Sequence, residues 1–321
     1  MRMTRIPELL KLPARPAARI LSLWYIGDVE IAITRLQMQG DDAGVIQFYR
    51  ALRRVHDSLR AYAAVLNSSI SKKQARALAD IVRAARKSVH ASTLLKFVQE
   101  LPLDPDEREA AEKFTQDLRD DYAKTVEDAL ELPERFESLR NRWRKSLRSF
   151  KVRIDPDEIP TVEIFDAVAL LAVTKAAGKL ERALDQLTEV DDGDALSKAT
   201  GATQRLLNVI EPVRSISAAF ADSVRGLNQL ESLLLEITAA NAAITAASEA
   251  GQPQRVLELC ELSRSRLFVD LQRMWLLDNH KWFFQRLYKA GDVTSPQAAA
   301  RPDYQRAPAR VASPLRAPSA V

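Results

Sequence analysis

Apolar residues along this chain recur every three or four positions, and no segment sustains a period-two alternation. Phe48, Leu52, Val55, Leu59, Tyr62 and Leu66 form one such series. A helix turns by about 100° per residue, so this spacing gathers the series on a single face. The pattern predicts helices and gives no support for strands.

Breakers divide the helical pattern. Pro13 and Pro16 precede a helix over 17–39, and the loop Gly40-Asp41-Asp42-Ala43-Gly44 leads into a second over 44–66. Asn67-Ser68-Ser69 interrupts it, and Ser71 is placed to cap a third helix over 71–100. Pro102, Asp104 and Pro105 turn the chain into an acidic helix over 106–132, and Pro133 opens a basic one reaching 150. Asp155-Pro156 and Pro160 mark a boundary. Beyond it the plan repeats: a helix over 161–187, the loop Asp191-Asp192-Gly193-Asp194, a helix to Glu211-Pro212, another to 247, and a last one from Pro253 to 288. From Gly291 onward five prolines fall among 31 residues, with Ala, Ser and Arg between them, so 291–321 reads as a disordered tail with too little apolar surface to fold.

Composition agrees with a helical, globular chain: 46% hydrophobic, 28% charged and only 9 glycines in 321 residues. Cys260 stands alone in an apolar helical pattern, which suggests a buried thiol in a reducing compartment. No run of about 18 apolar residues occurs and residues 1–20 lack a signal-like apolar core, so a cytoplasmic protein with no membrane partner is expected.

The net charge is only +4, but the charges are sorted into blocks. Residues 50–96 hold eleven Lys/Arg against two Asp, and 102–134 hold four bases against twelve acids. Residues 135–153 then hold eight bases against one acid, and 154–199 hold four against eleven. On a helical wheel Arg50, Arg53, Arg54, His56 and Arg60 fall opposite the apolar series, on a ridge roughly 160° wide. Lys72, Arg76, Arg83, Arg86, Lys87 and His90 form a second stripe roughly 100° wide. Like charges at i, i+3 and i+4 cost a few tenths of a kcal/mol per pair, which a solvated face normally offsets with interspersed acids. The planar guanidinium fork suits phosphate, so these stripes point to a polyanion. Pairing with the acidic blocks inside the protein is the rival reading.

Catalytic patterns are absent from the sequence. His56, His90 and His280 lack metal-ligand spacing, Cys260 has no partner, and there is no glycine-rich phosphate loop or nucleophile elbow. Close carboxylates at Glu107-Glu109 and Asp155-Asp157-Glu158 sit at helix starts, where they meet the helix dipole favourably. No enzyme, cofactor or metal site is expected.

The order of parts resembles the conserved-histidine α-helical domain, CHAD. That family places after a short acidic loop a helix of the form His-x-x-Arg-Val-x-x-Arg-Arg-x-Arg-x-x-Leu-x-x-Phe. Here Arg53-Arg54 match its arginine pair, Leu59 its leucine and Tyr62 its aromatic, while Ile46, Tyr49 and His56 take the positions of its histidine and two other arginines. A second, weaker copy follows Asp194, with Ser197, Thr200, Gln204, Arg205 and Leu207 in the same register. The stretch 134–139 with Trp143 and Leu147, Arg225-Gly226-Leu227-Asn228, and Trp282-Phe283 are similar to later family features. The resemblance implies an all-α fold within 1–290, built as two tandem four-helix-bundle repeats, about 17–153 and 160–288, related by a pseudo-twofold axis. It also implies binding of inorganic polyphosphate or a similar polyanion. Taken with the two stripes, the candidate site is Arg50, Arg53, Arg54, His56, Arg60, Lys72, Arg76, Arg83, Arg86, Lys87, His90 and Arg205. The alternative is a helical scaffold that docks a protein. Nucleic acid is a weaker expectation, because aromatics are 6% of the chain and do not interleave with the stripes.

Overall fold

The computed structural model describes residues 6–39, 42–66, 69–148, 163–276 and 279–294. The described residues are helical, apart from turns and one isolated antiparallel bridge between Pro13 and Ile164. That bridge matters for assembly. Ala14 N donates to Glu163 O at 2.8 Å and Phe165 N to Leu12 O at 3.0 Å, tying the start of the chain to the start of its second half.

The first half comprises α1 (Ile6–Leu10), α2 (Ala14–Gln39), α3 (Asp42–Ala61), α4 (Ala63–Leu66), α5 (Lys72–Gln99), α6 (Pro105–Ala110), α7 (Glu112–Leu130) and α8 (Leu132–Arg148). The second comprises α9 (Phe165–Asp185), α10 (Gly193–Ile210), α11 (Ala218–Glu249), α12 (Gln254–Leu271) and α13 (Asn279–Thr294). The predicted stop and start signals act as expected. Ser71 and Gln74 form a capping box at α5, and Asp104 and Glu107 form another at α6, so Glu107 is a cap. Asp192 caps α10 through Ala195 N.

Three expected helices are broken. The helix expected over 44–66 is interrupted at Tyr62, whose buried ring packs 5.1 Å from Phe165. The acidic helix is interrupted at Ala111, which is buried beside Phe114. The last helix passes into a π-helical turn, Gln272–Leu276, before α13, and this turn buries Trp275 against Phe283. In each case tertiary packing of one apolar residue overrides a continuous local pattern. The boundary expected at 155–160, its carboxylates, and the tail beyond 294 lie outside the described residues.

Packing partners follow the same order in both halves. α2 lies on α3, α3 on α5 and α5 on α7, while α8 returns to α2. Likewise α9 lies on α10, α10 on α11 and α11 on α12, while α13 returns to α9. The halves meet where α3 faces α10 and α5 faces α11. By length and composition α11 could cross a membrane, although it holds no unbroken apolar run of that length. In the fold its buried positions, among them Leu227, Leu230 and Leu234, belong to the main core. Cys260 is fully buried in a smaller core shared by α5, α7, α11 and α12.

Trp143 is fully buried with its ring 6.3 Å from Phe136, and its indole Nε1 has no partner. Trp143→Ala is expected to destabilise the fold by about 3–5 kcal/mol. Trp143→Phe should cost distinctly less, since it keeps an aromatic ring and removes the unpaired donor. Denaturant titration of both variants checks this.

Candidate functional site

Helix α3 turns Phe48, Leu52 and Val55 into the core and its polar positions towards α10. Asp57 lies on this helix one turn after Arg53, and its side chain is fully buried. Arg53 Nε donates to Asp57 Oδ2 at 2.8 Å, and Asn208 Nδ2 of α10 donates to the same oxygen at 3.0 Å. His56 Nδ1 lies 3.1 Å from Oδ1, and Arg205 Nε of α10 lies 3.7 Å from it. Burial alone would raise the carboxyl pKa. The His56 hydrogen bond and the Arg53 guanidinium outweigh that and hold it down at about 2. Burial opposes the Arg53 charge, but Asp57 and Tyr49 together outweigh it and hold that guanidinium above the ordinary arginine value.

The contact extends across both halves. Arg53 Nη2 donates to the Gly201 carbonyl at 3.0 Å. Tyr49 Oη donates to Gln204 Oε1 at 2.9 Å, and Gln204 Nε2 donates to Glu231 of α11 at 2.9 Å. Beside this buried network opens a cleft of about 550 Å³, to which α3 contributes Arg50, Arg53 and Arg54 and the segment after α10 contributes Arg214. Arg54 lies 5.5 Å above the Tyr25 ring and 3.8 Å from Asp28. Arg50 and Arg214 are exposed and make no ion pair among the described residues. Glu211 and Glu231 also line the cleft.

On α5, Arg86 Nε donates to His90 Nε2 at 2.8 Å, and Arg86 Nη2 reaches Ser197 Oγ of α10 at 3.5 Å. His90 accepts that bond as a neutral ring. Burial, reinforced by the Arg86 charge, lowers its pKa to about 4. Lys72, Arg76, Arg83 and Lys87 are exposed. Arg83 lies 3.1 Å from Asp80, an exposed pair worth little. No cation of the α5 stripe forms an ion pair with α6 or α7 among the described residues. There Arg119 pairs with Glu112, and Lys124 with Asp121.

The structure therefore gathers Arg53, His56 and Arg205 around one carboxylate and places Arg50 and Arg54 in the adjoining cleft. Arg86 reaches Ser197 of α10, and His90 lies where α5 meets α11. Arg60 and the remaining α5 cations stay on open faces. His280 is a buried histidine 3.0 Å from Asp185, and burial pushes the Cys260 thiol up to about 11. Among the described residues no group of His, Cys, Asp and Glu is arranged to hold a metal.

No family model matches the chain, and neither does any curated protein. Its structure is similar to the crystal structure of the CHAD domain from the plant Ricinus communis, with a TM-score of 0.60 over 87% of this chain and 93% of that one, at 12% identity. The fold is CHAD-like.

In the register that the sequence resemblance implies, with Ile46 and Ser197 at equivalent positions of α3 and α10, Asp57 and Asn208 would share one motif position. These two residues are hydrogen-bonded to each other. Tyr49 and Gln204 stand where the motif carries arginines, and they too are bonded to each other. Reading charge by blocks missed Asp57, the one acid on the α3 ridge, which lies at i+4 from Arg53 and could have been found by that spacing. Glu231 gives no comparable local signal, because its partner is remote in sequence.

Asp57→Ala should destabilise the fold by about 3–5 kcal/mol, because it leaves half-buried guanidinium groups uncompensated. The acid limb of stability should have two parts. The unfolded chain protonates His90 near 6.5 whereas the folded protein resists until about 4, so stability falls as pH drops through that window. The stability that ionised Asp57 contributes is complete above about pH 4 and is lost as pH falls towards 2. Denaturant titrations between pH 7 and 2 should show His90→Gln flattening only the upper part.

Proposed function

We propose that the protein binds a phosphate chain, inorganic polyphosphate or a similar polyanion, without transforming it. The observation that carries this reading is the cleft between α3, α10 and α11, where Arg50 and Arg214 stand without acidic partners beside Arg53 and Arg54. Phosphate oxygens would satisfy their free donors and relieve the mutual repulsion of the cations. The CHAD-like fold supports the same reading, because the family is associated with polyphosphate. The α5 stripe supplies further exposed cations in Lys72, Arg76, Arg83 and Lys87.

Glu211 and Glu231 in the same cleft favour a second reading, a protein partner that presents charges of both signs. Salt separates the two. Each cation that neutralises a phosphate releases a counterion, so affinity for a phosphate chain falls steeply as salt rises.

Reversal of both Arg50 and Arg214 to Glu is expected to lower affinity for long-chain polyphosphate more than tenfold, about 1.4 kcal/mol. Reversal of Arg83 and Lys87 should also weaken binding and leave thermal stability nearly unchanged, since both are exposed. A fluorescence or calorimetric titration at two salt concentrations reads these effects. Unchanged affinity in both variants would overturn the polyanion reading.

A further inference from the structure

Helix α9 lies in a stretch that is acidic by count, yet it presents a cationic face. Lys175, Lys179 and Arg182 are all exposed and stand at about 0°, 40° and 340° on the helical wheel. The neighbouring acids Glu181 and Asp185 stand at about 240° and 280°. Both acids are engaged by α13. Tyr288 Oη donates to Glu181 at 2.8 Å, and His280 Nε2 lies 3.0 Å from Asp185. Packing against α13 thus holds the carboxylates on one flank of α9 and leaves the cations on the other.

That other flank faces more positive charge. α10 packs on α9 and brings Arg205, and Arg60 of α3 joins the same neighbourhood. The Lys179 ammonium is held below its usual value by Arg205 first, then by burial, then by Arg60, Arg182 and Lys175. Each of these neighbouring charges is positive. Lys175, Lys179, Arg182 and Arg60 make no ion pair among the described residues. Arg205 also links this patch to the cleft, since it shares Asp57 with the cleft residue Arg53.

The geometry points to a second anion-binding surface on α9, formed by Lys175, Lys179 and Arg182 with Arg60, which engages a phosphate chain whose other segment lies in the cleft. This rests on the polyanion reading of the cleft and adds a length requirement to it. Arg50 and Arg60 are separated by about 15 Å along α3, so the two surfaces are distinct points of attachment. A long chain that reaches both gains from the second contact as an intramolecular event, whereas a short one occupies either surface alone.

The test compares long-chain polyphosphate with tripolyphosphate on the full chain. Reversal of Lys179 and Arg182 to Glu should lower affinity for the long chain more than tenfold and reduce the salt slope by about 1–2. Tripolyphosphate binding should change less than threefold, because the cleft still accepts it. The neutral pair Lys179→Gln and Arg182→Gln should give a smaller loss in the same direction, and melting curves of both variants should match the parent. Long-chain affinity left unchanged, or an equal loss for both ligands, would overturn the α9 surface. Reversal of Arg50 and Arg214 serves as the reference. If that variant loses binding while the α9 variants do not, the cleft reading stands and this one fails. If no variant loses binding, both fail.

Discussion

The Asp57 carboxylate is buried where the two halves meet, and much of the surrounding arrangement follows from the need to satisfy it. An ionised carboxylate removed from water costs several kcal/mol unless charges and donors surround it. Here α3 supplies Arg53 and His56, and α10 supplies Asn208 and Arg205. Neither half alone completes that set. The acid therefore ties α3 to α10, and Arg53 adds a bond to the Gly201 carbonyl of α10. Well-packed apolar side chains in place of such a buried charged group often give equal stability. Its particular effect is to hold guanidinium groups of both halves in fixed positions beside the cleft.

The same sorting recurs on α9. Its acids are drawn to Tyr288 and His280 of α13, so its cations are left facing α10. Charge on this protein is thus organised by helix flank. A helix with near-balanced composition still presents a field of one sign when its neighbours engage the other sign. Such a field attracts anions over distances of about a Debye length and weakens as salt rises.

Much of the fold was legible because helix ends carry their own chemistry. Ser71 with Gln74 and Asp104 with Glu107 are capping boxes that can be read from spacing alone. The breaks at Tyr62 and Ala111 were hidden because nothing local disfavours helix there, and they arise from burial against distant elements such as Phe165. The α3 stripe is legible as cationic, but a block count hides the i+4 pairing of Asp57 with Arg53, so Arg53 and His56 look open in the sequence although they are bound to it. The cationic flank of α9 escaped because block charge averages over flanks, and Glu181 and Asp185 beside those cations are engaged by a helix about a hundred residues further on. Local rules read caps and faces. Pairings between remote helices decide which charges remain free.

These pairings also divide the cations by role. An anion entering the cleft competes with Asp57 for Arg53. Drawing Arg53 away would leave a fully buried carboxylate short of its strongest partner, a loss of several kcal/mol. A single phosphate contact returns less than that, since an exposed ion pair is worth about 1 kcal/mol or below. On the polyanion reading, Arg53 and His56 therefore stay on Asp57, and the Arg53 charge acts on the anion through space. Direct contact falls to the groups with free donors, Arg50 and Arg214 in the cleft and the exposed lysines and arginines around it. Weak individual contacts of this kind add up only along a ligand that carries many charges, which favours a chain of phosphates over a single one.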